Sequence, residues 1–480
     1  MAVLDDTQLT IAASRALLQK GELSVRELVS IFLERIKEKD QELGAYLEVF
    51  EEHLWEEAEA QDKMIREGNT IKPLWGVPIA VKDNILIAGE RANAGSRMLE
   101  NYTASYDATV IRKLRNAGAL FLGRTNMDEF AMGSSTEHSA FKKTKNPHDI
   151  TRVPGGSSGG SAVAVAAGMA MAALGSDTGG SIRQPAAFCG AVGLKPTYGA
   201  VSRSGLIAMA SSLDQIGPLA RSVEDAELLF SFMQGEDPKD ATSRSGIIAE
   251  RKDIRIGVPE EYFSWKEKGR EEGLEKDVAA CVRRAITLLN ENGYLTKTIH
   301  LPNTEYVLPC YYVLMPAEVS ANLARFDGVR YGLHERAGTL LEEYERTRER
   351  GFGREVKRRI LLGSFVLSSG FYEAYYGHAL KVRRAIKRDF QHAFEEVDVI
   401  ISPTVPAPAF RFGEKEDPVA MYLGDIFTVP ANLAGIPALS MPCGAVERDG
   451  KQLPVGVQLM APWFGEDRLF AVGKRLEELL

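Results

Sequence analysis

The sequence predicts an α/β protein: a single large α/β/α domain whose mixed, mostly parallel sheet is covered by helices on both faces. The first observation behind this prediction is the alternation of amphipathic helices with short apolar strands along most of the chain. The second is a pair of glycine- and serine-rich loops, residues 155–161 (GGSSGGS) and 175–181 (GSDTGGS), which bracket an uncharged segment of small residues. Because a flexible linker would not border such a core-like segment, we expect the two loops to lie at strand ends and to form one site.

The N-terminal part of the chain, residues 1–67, predicts a layer of helices. Apolar residues recur at helical spacing over residues 9–18, ahead of a glycine that can end the helix. Ser24 and Glu27 have the spacing of a capping box, and they open a second helix that we expect to run to about Ile36.

The central part, residues 71–240, is expected to hold the core of the sheet and the two loops. Residues 75–84 predict a buried strand that ends in polar side chains. Asp107 can cap a helix that ends near Gly118, and residues 119–122 predict the next strand.

The remainder, residues 241–480, continues the alternation, so we assign the whole chain, 1–480, to one domain with substrate-binding helices in this last part. We predict further strands at residues 254–258, 397–402 and 453–460, and helices at residues 274–290 and 467–480. Residues 243–252 form only a modest, partly polar break, and no repeat or low-complexity segment divides the chain.

The composition indicates an ordinary globular protein of a reducing cytoplasm. Hydrophobic residues make up 45% and charged residues 26% of the 480 positions, and no apolar run reaches the roughly 18 residues of a membrane span. The chain start lacks the basic-then-apolar pattern of a secretory signal. Four widely spaced cysteines argue against a disulfide framework or a zinc site. The net charge of −8 disfavours extensive direct contact with nucleic acid.

Serine hydroxyls stand at the centre of the predicted site, and a nucleophilic serine needs a base within hydrogen-bond reach. None of the seven histidines lies in a glycine-rich or strand-end setting, and none is paired at the spacing of a metal site. Lys82 is another candidate base, because burial disfavours the ammonium form and lowers the pKa of a lysine. Both faces of its strand are apolar, so we expect Lys82 to be half-buried; a solvated lysine beside Asp83 is the alternative.

Two further serine motifs compete with this interpretation. Residues 155–159 match the G-x-S-x-G elbow of α/β-hydrolases, with Ser157 as nucleophile, but residues 151–154 make a poor preceding strand. Ser139 and Lys142 match S-x-x-K without the S-D-N or K-T-G segments that accompany it. We therefore treat both as chance matches.

Three segments together resemble the amidase signature family: residues 81–84 (VKDN), 155–161 and 177–185 (DTGGSIRQP). The resemblance implies a single amidase-signature domain and a Ser–cis-Ser–Lys triad. In that triad Ser181 is the nucleophile that forms the acyl ester, Ser157 the bridging serine in a cis peptide, and Lys82 the base. It further implies an oxyanion hole formed by the backbone N–H groups of Thr178, Gly179, Gly180 and Ser181.

Other segments resemble one branch of that family, the glutamine-hydrolysing subunits of tRNA-dependent amidotransferases: residues 128–137, 211–218, 322–332, 355–360 and 430–435. This resemblance implies that the chain needs no cofactor, hydrolyses L-glutamine and passes ammonia to a partner chain, the B subunit of such enzymes. The B subunit would bind ATP and magnesium and activate the misacylated tRNA, Glu-tRNA(Gln) or Asp-tRNA(Asn), and a small C subunit would complete a heterotrimer.

Free glutamine is a zwitterion, so its pocket needs a cation for the carboxylate and an anion for the amino group. The branch implies an arginine and an aspartate, which here fall on the Arg358–Arg359 pair and on Asp425. Helical spacing puts Arg359 on the apolar face and Arg358 nearly opposite, so we expect Arg359 to bind and Arg358 to be solvated. For Asp425, a helix cap before Ile426 is the alternative.

Three further residues are candidates for substrate contact. Tyr311 either walls the pocket or packs in the core, and Gly133 and Ser134 lie within the matching segment 128–137. A stand-alone amidase for a small or aryl amide and an inactive scaffold are the alternative functions. The intact triad counts against the scaffold, and the predicted charge pair counts against a site for neutral amides.

Overall fold

The computed structural model describes residues 10–246, 253–264, 273–415 and 417–480. Its eleven strands within those ranges form one sheet. The strands are β1 (Tyr46–Val49), β2 (Pro78–Lys82), β3 (Leu120–Thr125), β4 (Ala172–Asp177), β5 (Val192–Lys195), β6 (Gln215–Ala220), β7 (Arg255–Pro259), β8 (Leu295–Ile299), β9 (Val399–Pro403), β10 (Ala438–Arg448) and β11 (Lys451–Met460).

Sixteen α-helices accompany the sheet within the same ranges. They are α1 (Ile11–Lys20), α2 (Val25–Leu43), α3 (Glu51–Arg66), α4 (Thr109–Ala117), α5 (Gly159–Ala166), α6 (Arg183–Cys189), α7 (Val223–Met233), α8 (Glu260–Phe263), α9 (Lys276–Glu291), α10 (Val307–Asn322), α11 (Leu340–Gly351), α12 (Arg354–Leu367), α13 (His378–Glu396), α14 (Pro418–Leu423), α15 (Val429–Ala434) and α16 (Glu466–Leu479).

The sheet is mixed, with the strand order β1-β3-β2-β4-β6-β5-β10-β11-β9-β7-β8. The α/β class and the mixed sheet are confirmed, but the expected parallel majority is wrong. Only the junctions β3–β2, β2–β4, β9–β7 and β7–β8 are parallel, and the six others are antiparallel. The reason is that β5, β6 and β10, which were not predicted as strands, join the middle of the sheet between the two parallel groups.

Helices cover the sheet on both faces, as predicted. Successive side chains of β9 belong to two separate hydrophobic clusters, because side chains alternate across a sheet. Val399 and Ile401 join a cluster that contains residues of α2, α4, α7 and α16. Ile400 joins the other cluster, with residues of α10, α12 and α13. The second of these layers carries the predicted substrate-binding helix.

The helix starts and ends predicted from the sequence are partly confirmed. Gly21 ends α1 in a left-handed conformation, and the side chains of Ser24 and Glu27 form the expected capping box. Helix α2 runs past residue 36 to Leu43. Asp107 does not cap α4: the N-cap is Ala108, without a side-chain bond, and Asp107 instead accepts the Ala88 N–H at 2.8 Å.

Some predicted features lie outside the described residues, namely residues 1–9 of the N-terminal layer and residues 247–252 of the polar break. Across the described ranges, no helix combines the length and apolar character needed to cross a membrane. In the same part of the chain, no group of three or more His, Cys, Asp or Glu side chains could hold a metal ion.

Candidate active site

Lys82 lies at the carboxyl end of strand β2 and is more buried than expected, with no exposed surface. Its Nζ is 2.8 Å from Ser157 Oγ and 2.8 Å from Ser158 Oγ. It is also 2.9 Å from Ser176 Oγ. Burial lowers the pKa of Lys82 to about 7, while Asp128, Asp177 and Asp214 act to raise it. Near neutral pH, a large fraction of Lys82 is therefore unprotonated and able to accept a proton.

Ser157 is fully buried and precedes the N-terminus of α5. The Gly156–Ser157 peptide bond is cis, the geometry that the family resemblance implies. The loop is held by Gln184, whose Oε1 accepts the Gly156 N–H at 2.8 Å. No strand precedes the loop, since Arg152 makes only an isolated bridge with Arg411. The α/β-hydrolase elbow is therefore wrong for this site.

The other competing motif is also wrong. Ser139 Oγ accepts the Phe141 N–H at 3.3 Å, and Lys142 Nζ lies 3.7 Å from Asp40 Oδ2. The serine and the lysine thus have separate local partners.

Ser181 stands in the turn between β4 and α6, and 8% of it is exposed. Its carbonyl accepts the Ser158 N–H at 3.1 Å, which fixes the two glycine- and serine-rich loops against each other. Among the described residues its hydroxyl has no hydrogen-bond partner. Ser181 is thus the member of the predicted triad whose oxygen remains free for a substrate.

Of the four backbone N–H groups expected in an oxyanion hole, one is already engaged. The Gly180 N–H donates to Asp177 Oδ1 at 2.9 Å. Within the described part of the chain, the N–H groups of Thr178, Gly179 and Ser181 donate to no protein acceptor. These three remain available to an oxyanion, and Gly180, at φ 137°, supplies the conformation that the turn requires.

A buried ion pair that the sequence reasoning missed holds this turn. Arg183 is fully buried and donates to Asp177 Oδ1 at 3.0 Å, to Asn432 Oδ1 at 2.6 Å and to Gln458 Oε1 at 2.6 Å. Burial alone would raise the pKa of Asp177, but Arg183 and the other partners lower it to about 2. Asp177 also accepts the Ile182 N–H at 3.1 Å. The ionised carboxylate therefore fixes the backbone on either side of Ser181.

Ser158 and Ser176 were likewise not singled out from the sequence. Both hydroxyls contact Lys82 Nζ, and Asn84 Nδ2 donates to Ser176 Oγ at 3.0 Å. Their positions in the two glycine- and serine-rich loops could have indicated them, since Ser158 directly follows Ser157 and Ser176 lies in the second loop. These contacts aim the lysine at Ser157.

Helix α12 turns Arg359 inward, as its spacing predicts, and only 4% of that residue is exposed. Its Nε donates to Glu355 Oε1 at 2.7 Å, and its guanidinium lies 6.0 Å from the ring centre of Tyr312. Burial acts to lower the pKa of Arg359, but Glu355 and the neighbouring tyrosines more than offset it, so the group stays charged.

Arg358 differs from the prediction of a solvated residue. It is part-buried, and its Nη2 donates to Glu355 and, at 2.9 Å, to the Tyr422 hydroxyl. Both arginines therefore hold the same carboxylate, and Arg359 is among the groups that lower the pKa of Asp425.

Asp425 is buried, with 7% exposed. It is not a helix cap, because the N-cap residue of α15 is Thr428. Ser134 Oγ donates to Asp425 Oδ2 at 2.9 Å, which brings two predicted candidates together. Burial raises the pKa of Asp425 to about 7, while Ser134 and then Arg359 act to lower it. A cationic ligand group would add to this lowering and favour the ionised form.

Two contacts connect this charged region to the Ser181 turn. Thr428 Oγ1 donates to the Gly179 carbonyl at 2.7 Å and is 3.1 Å from the Asp425 carbonyl. A Cβ on Gly179 would lie 2.6 Å from the Tyr311 hydroxyl, so Tyr311 lies directly against that turn. The structure thus brings Tyr311, Asp425 and the Ser181 turn into one neighbourhood.

A cavity of about 590 Å³ opens beside these groups. Its lining includes Gly133, Glu355, Arg358, Arg359 and Tyr422. Ser181 and Asp425 do not belong to the lining, whereas Arg359 and Gly133 do. The alternation of acidic and basic side chains around it suits a small ligand that carries both charges.

The site combines a buried lysine that contacts a buried serine with a second serine whose hydroxyl and neighbouring N–H groups have no partner among the described residues. Such an arrangement is suited to nucleophilic catalysis by serine. The chain belongs to the amidase family, whose model, described as Amidase, matches residues 27–470.

Its relatives point to one branch. The chain is 53% identical to the A subunit of glutamyl-tRNA(Gln) amidotransferase from Moorella thermoacetica over 96% of this chain and 94% of that one. A crystal structure of the A subunit of glutamyl-tRNA(Gln) amidotransferase from Thermotoga maritima is 42% identical, with a TM-score of 0.79, and covers 100% of this chain and 96% of that one. Native peptide amidase from Stenotrophomonas maltophilia is 29% identical, with a TM-score of 0.80 over 98% and 96% of the two chains.

Proposed function

We propose that this chain hydrolyses L-glutamine and supplies ammonia to a tRNA-dependent amidotransferase. The observation that carries the proposal is the buried Arg359–Asp425 region next to the Ser181 turn, since a neutral amide needs neither charge. The names of the relatives support the same assignment, because two of them are subunits of a glutamyl-tRNA(Gln) amidotransferase.

Acylation begins with a proton transfer. Neutral Lys82 takes the proton of the Ser157 hydroxyl, and Ser157 takes that of Ser181, whose oxygen bonds to the amide carbon of glutamine. The N–H groups of Thr178, Gly179 and Ser181 stabilise the oxyanion. When the carbon–nitrogen bond breaks, the leaving NH2 group takes from Lys82, through Ser157, the proton that came from Ser181, and it departs as ammonia.

Deacylation uses the same groups. A water molecule gives a proton to the neutral lysine through Ser157, and its oxygen attacks the glutamyl ester of Ser181. The carbon–oxygen bond to Ser181 then breaks, and the serine oxygen takes the proton back. Glutamate leaves, and the enzyme returns to its starting protonation state.

The two ends of glutamine are bound by opposite charges. Arg359 pairs with the α-carboxylate and Asp425 with the α-ammonium, while Tyr311, Gly133 and Ser134 border the substrate. Ser134 keeps the Asp425 carboxylate in one orientation through its 2.9 Å hydrogen bond.

The chemistry of acyl-tRNA activation belongs to partner chains in this proposal. The B subunit binds ATP and magnesium and converts Glu-tRNA(Gln) or Asp-tRNA(Asn) to the amidated product, and the C subunit completes a cytoplasmic heterotrimer. The present chain contributes ammonia and has no cofactor of its own.

The test uses the reconstituted complex with ATP, magnesium, misacylated tRNA and glutamine that carries heavy nitrogen in its side-chain amide. We expect the label in Gln-tRNA or Asn-tRNA and one glutamate for each product. Hydrolysis of simple aryl or peptide amides without use of glutamine would instead identify a stand-alone amidase.

A further inference from the structure

The turn that carries the proposed oxyanion hole, residues 178–181, is held by the rest of the chain at each of its residues except, by backbone bonds, the first. We call these four residues the oxyanion turn. The carbonyls of Gly179 and Ser181 accept hydrogen bonds, and the Gly180 N–H donates one. In the described part of the chain, neither the N–H nor the carbonyl of Thr178 has a hydrogen-bond partner. The backbone of Thr178 therefore depends on another anchor.

That anchor is the side chain of Thr178 itself. Its Oγ1 donates to Asp214 Oδ1 at 2.7 Å, and each of the two residues is only 2% exposed. A hydrogen bond to a carboxylate is stronger than one between neutral groups, and burial keeps water from competing for it. The position of the Thr178 N–H is therefore tied to Asp214.

The sheet explains why these two residues meet. Strands β4 and β6 are antiparallel, and the last pair in their register is Asp177 with Gln215. Thr178 follows β4 and Asp214 precedes β6, so the two stand one step beyond that pair on the same ladder. Their side-chain hydrogen bond continues the pairing where the backbone bonds of the two strands stop.

The Asp214 carboxylate is itself fixed in place. It accepts the Met209 N–H at 2.9 Å and the Ala210 N–H at 3.0 Å. Burial raises the pKa of Asp214 to about 6, while Thr178 and these two N–H groups act to lower it. The carboxylate is therefore ionised at neutral pH, and it cannot turn away from Thr178 without leaving buried N–H groups unpaired.

We infer that Asp214 is a positioning residue for the oxyanion hole, which holds Thr178 so that its N–H is in place when charge develops on the substrate oxygen. The inference rests on the proposed function, since the oxyanion belongs to that reaction. Donors of this kind act because they are in position before the charge appears, so a small displacement weakens them. The interaction gains its strength only in the transition state, and its loss therefore lowers kcat and leaves KM nearly unchanged.

The first test measures glutamine hydrolysis by the reconstituted complex with Asp214→Asn or Thr178→Val. We expect kcat to fall about 10- to 100-fold in each, less than the loss on removing an oxyanion donor outright, with KM within about twofold of wild type. The assays are run at about pH 8, where Lys82 is neutral. Loss of the Asp214 charge lowers the pKa of Lys82 further, so a protonated base cannot cause the fall in kcat.

Two further variants show whether the hydrogen bond itself is responsible. Thr178→Ser keeps the hydroxyl and should retain most of kcat. The double variant Asp214→Asn, Thr178→Val should lose no more than the more affected single variant, because both changes break the same contact. A higher KM with unchanged kcat in the single variants, or losses that multiply in the double variant, would overturn the inference.

Asp237→Asn is the matched control for the loss of a buried carboxylate. Asp237 is 5% exposed, and its carboxylate accepts the hydroxyls of Thr109 and Ser202 and, at 3.0 Å, the Lys239 N–H. We expect a lower melting temperature for this variant and a kcat close to that of the wild type. A fall in kcat as large as that of Asp214→Asn would show that the effect is not particular to the oxyanion turn, and the inference would be wrong.

Melting temperatures identify any variant that fails to fold, and the comparison of Thr178→Val with Thr178→Ser then decides, since both leave Asp214 intact. Failure of the proposed function has a different signature. A wild-type complex that hydrolyses another amide but not glutamine would remove that function, and the same variants measured with that amide would still decide the role of Asp214.

Discussion

At the scale of single residues, Lys82 sets the pH range in which the site can act. Its pKa is lowered to about 7, so it is protonated below that pH and neutral above it. Because the base must be neutral, we expect kcat for glutamine hydrolysis to fall about tenfold for each pH unit below 7. Asp425, whose pKa is raised to about 7, loses its charge in the same direction.

The two titrations can be separated. In the Asp425→Asn variant, kcat should still fall below pH 7, because Lys82 still titrates. The KM for glutamine should be high, and it should no longer vary with pH through the ionisation of residue 425. A kcat for this variant that does not change between pH 5 and 8 would assign the limb to Asp425 instead of Lys82.

Substitution of Lys82 provides the direct check on its role. Lys82→Ala should abolish glutamine hydrolysis, and Lys82→Arg should restore little, because arginine remains charged at all working pH values. Hydrolysis rates and melting curves of both variants are the measurements. Near wild-type activity in either variant removes Lys82 from the mechanism.

The charge pair predicts a contrast between neighbouring arginines. Arg359→Ala should lower kcat/KM by a factor equivalent to about 2–5 kcal/mol of transition-state stabilisation. This is the cost of leaving a charged end of the substrate without its buried partner. Arg358→Ala should be milder, because Arg358 is part-buried against Glu355 and Tyr422. Steady-state kinetics with glutamine decide, and a larger loss in Arg358→Ala would reverse the assignment.

The sequence predicted single residues well where a motif or a helical period specified them. Lys82 was expected to be half-buried and is fully buried, because the serines of the two loops pack around its side chain. The network of Arg183 with Asn432 and Gln458 could not be predicted, since it joins residues about 250 positions apart. Only the tertiary fold brings them together.

At the scale of elements, the packing of α12 on α10 positions Arg359. A Cβ on Gly363 would overlap the Pro316 carbonyl oxygen, so Gly363→Ala must push the two helices apart. We expect a loss of about 1–3 kcal/mol in the free energy of unfolding, typical of overpacking, together with a higher KM for glutamine.

Gly338→Ala is the control for that change, because the nearest atom to its added Cβ is the end of the Glu342 side chain at 3.3 Å. Denaturant melts of the two variants give the comparison. Equal stabilities would show that the close approach of α12 to α10 is not a constraint.

The wrong expectation of a mostly parallel sheet has a physical source at the scale of elements. Strands β10 and β11 form an antiparallel hairpin, and Asp449 and Gly450 connect them with φ values of 53° and 74°. Asp-Gly between two strands is the usual sequence of a two-residue hairpin turn. That signal was present in the sequence and would have predicted an antiparallel centre, whereas the inserted strands β5 and β6 have no comparable local signal.

At the scale of the whole molecule, the proposed reaction is divided between chains. In that proposal this chain releases ammonia and a partner activates the acyl-tRNA, which agrees with a net charge of −8 that does not favour extensive contact with RNA.

The most direct test of this division is the Ser181→Ala chain assembled with its partners, ATP, magnesium and Glu-tRNA(Gln) or Asp-tRNA(Asn). Without the nucleophile no glutamyl ester forms, so we expect no amidated tRNA when glutamine is the donor. Added ammonium salt should restore the product, because ammonia can still reach the partner's site. Failure of ammonium to restore it, while the wild-type complex works with glutamine, would contradict the proposed division of the reaction.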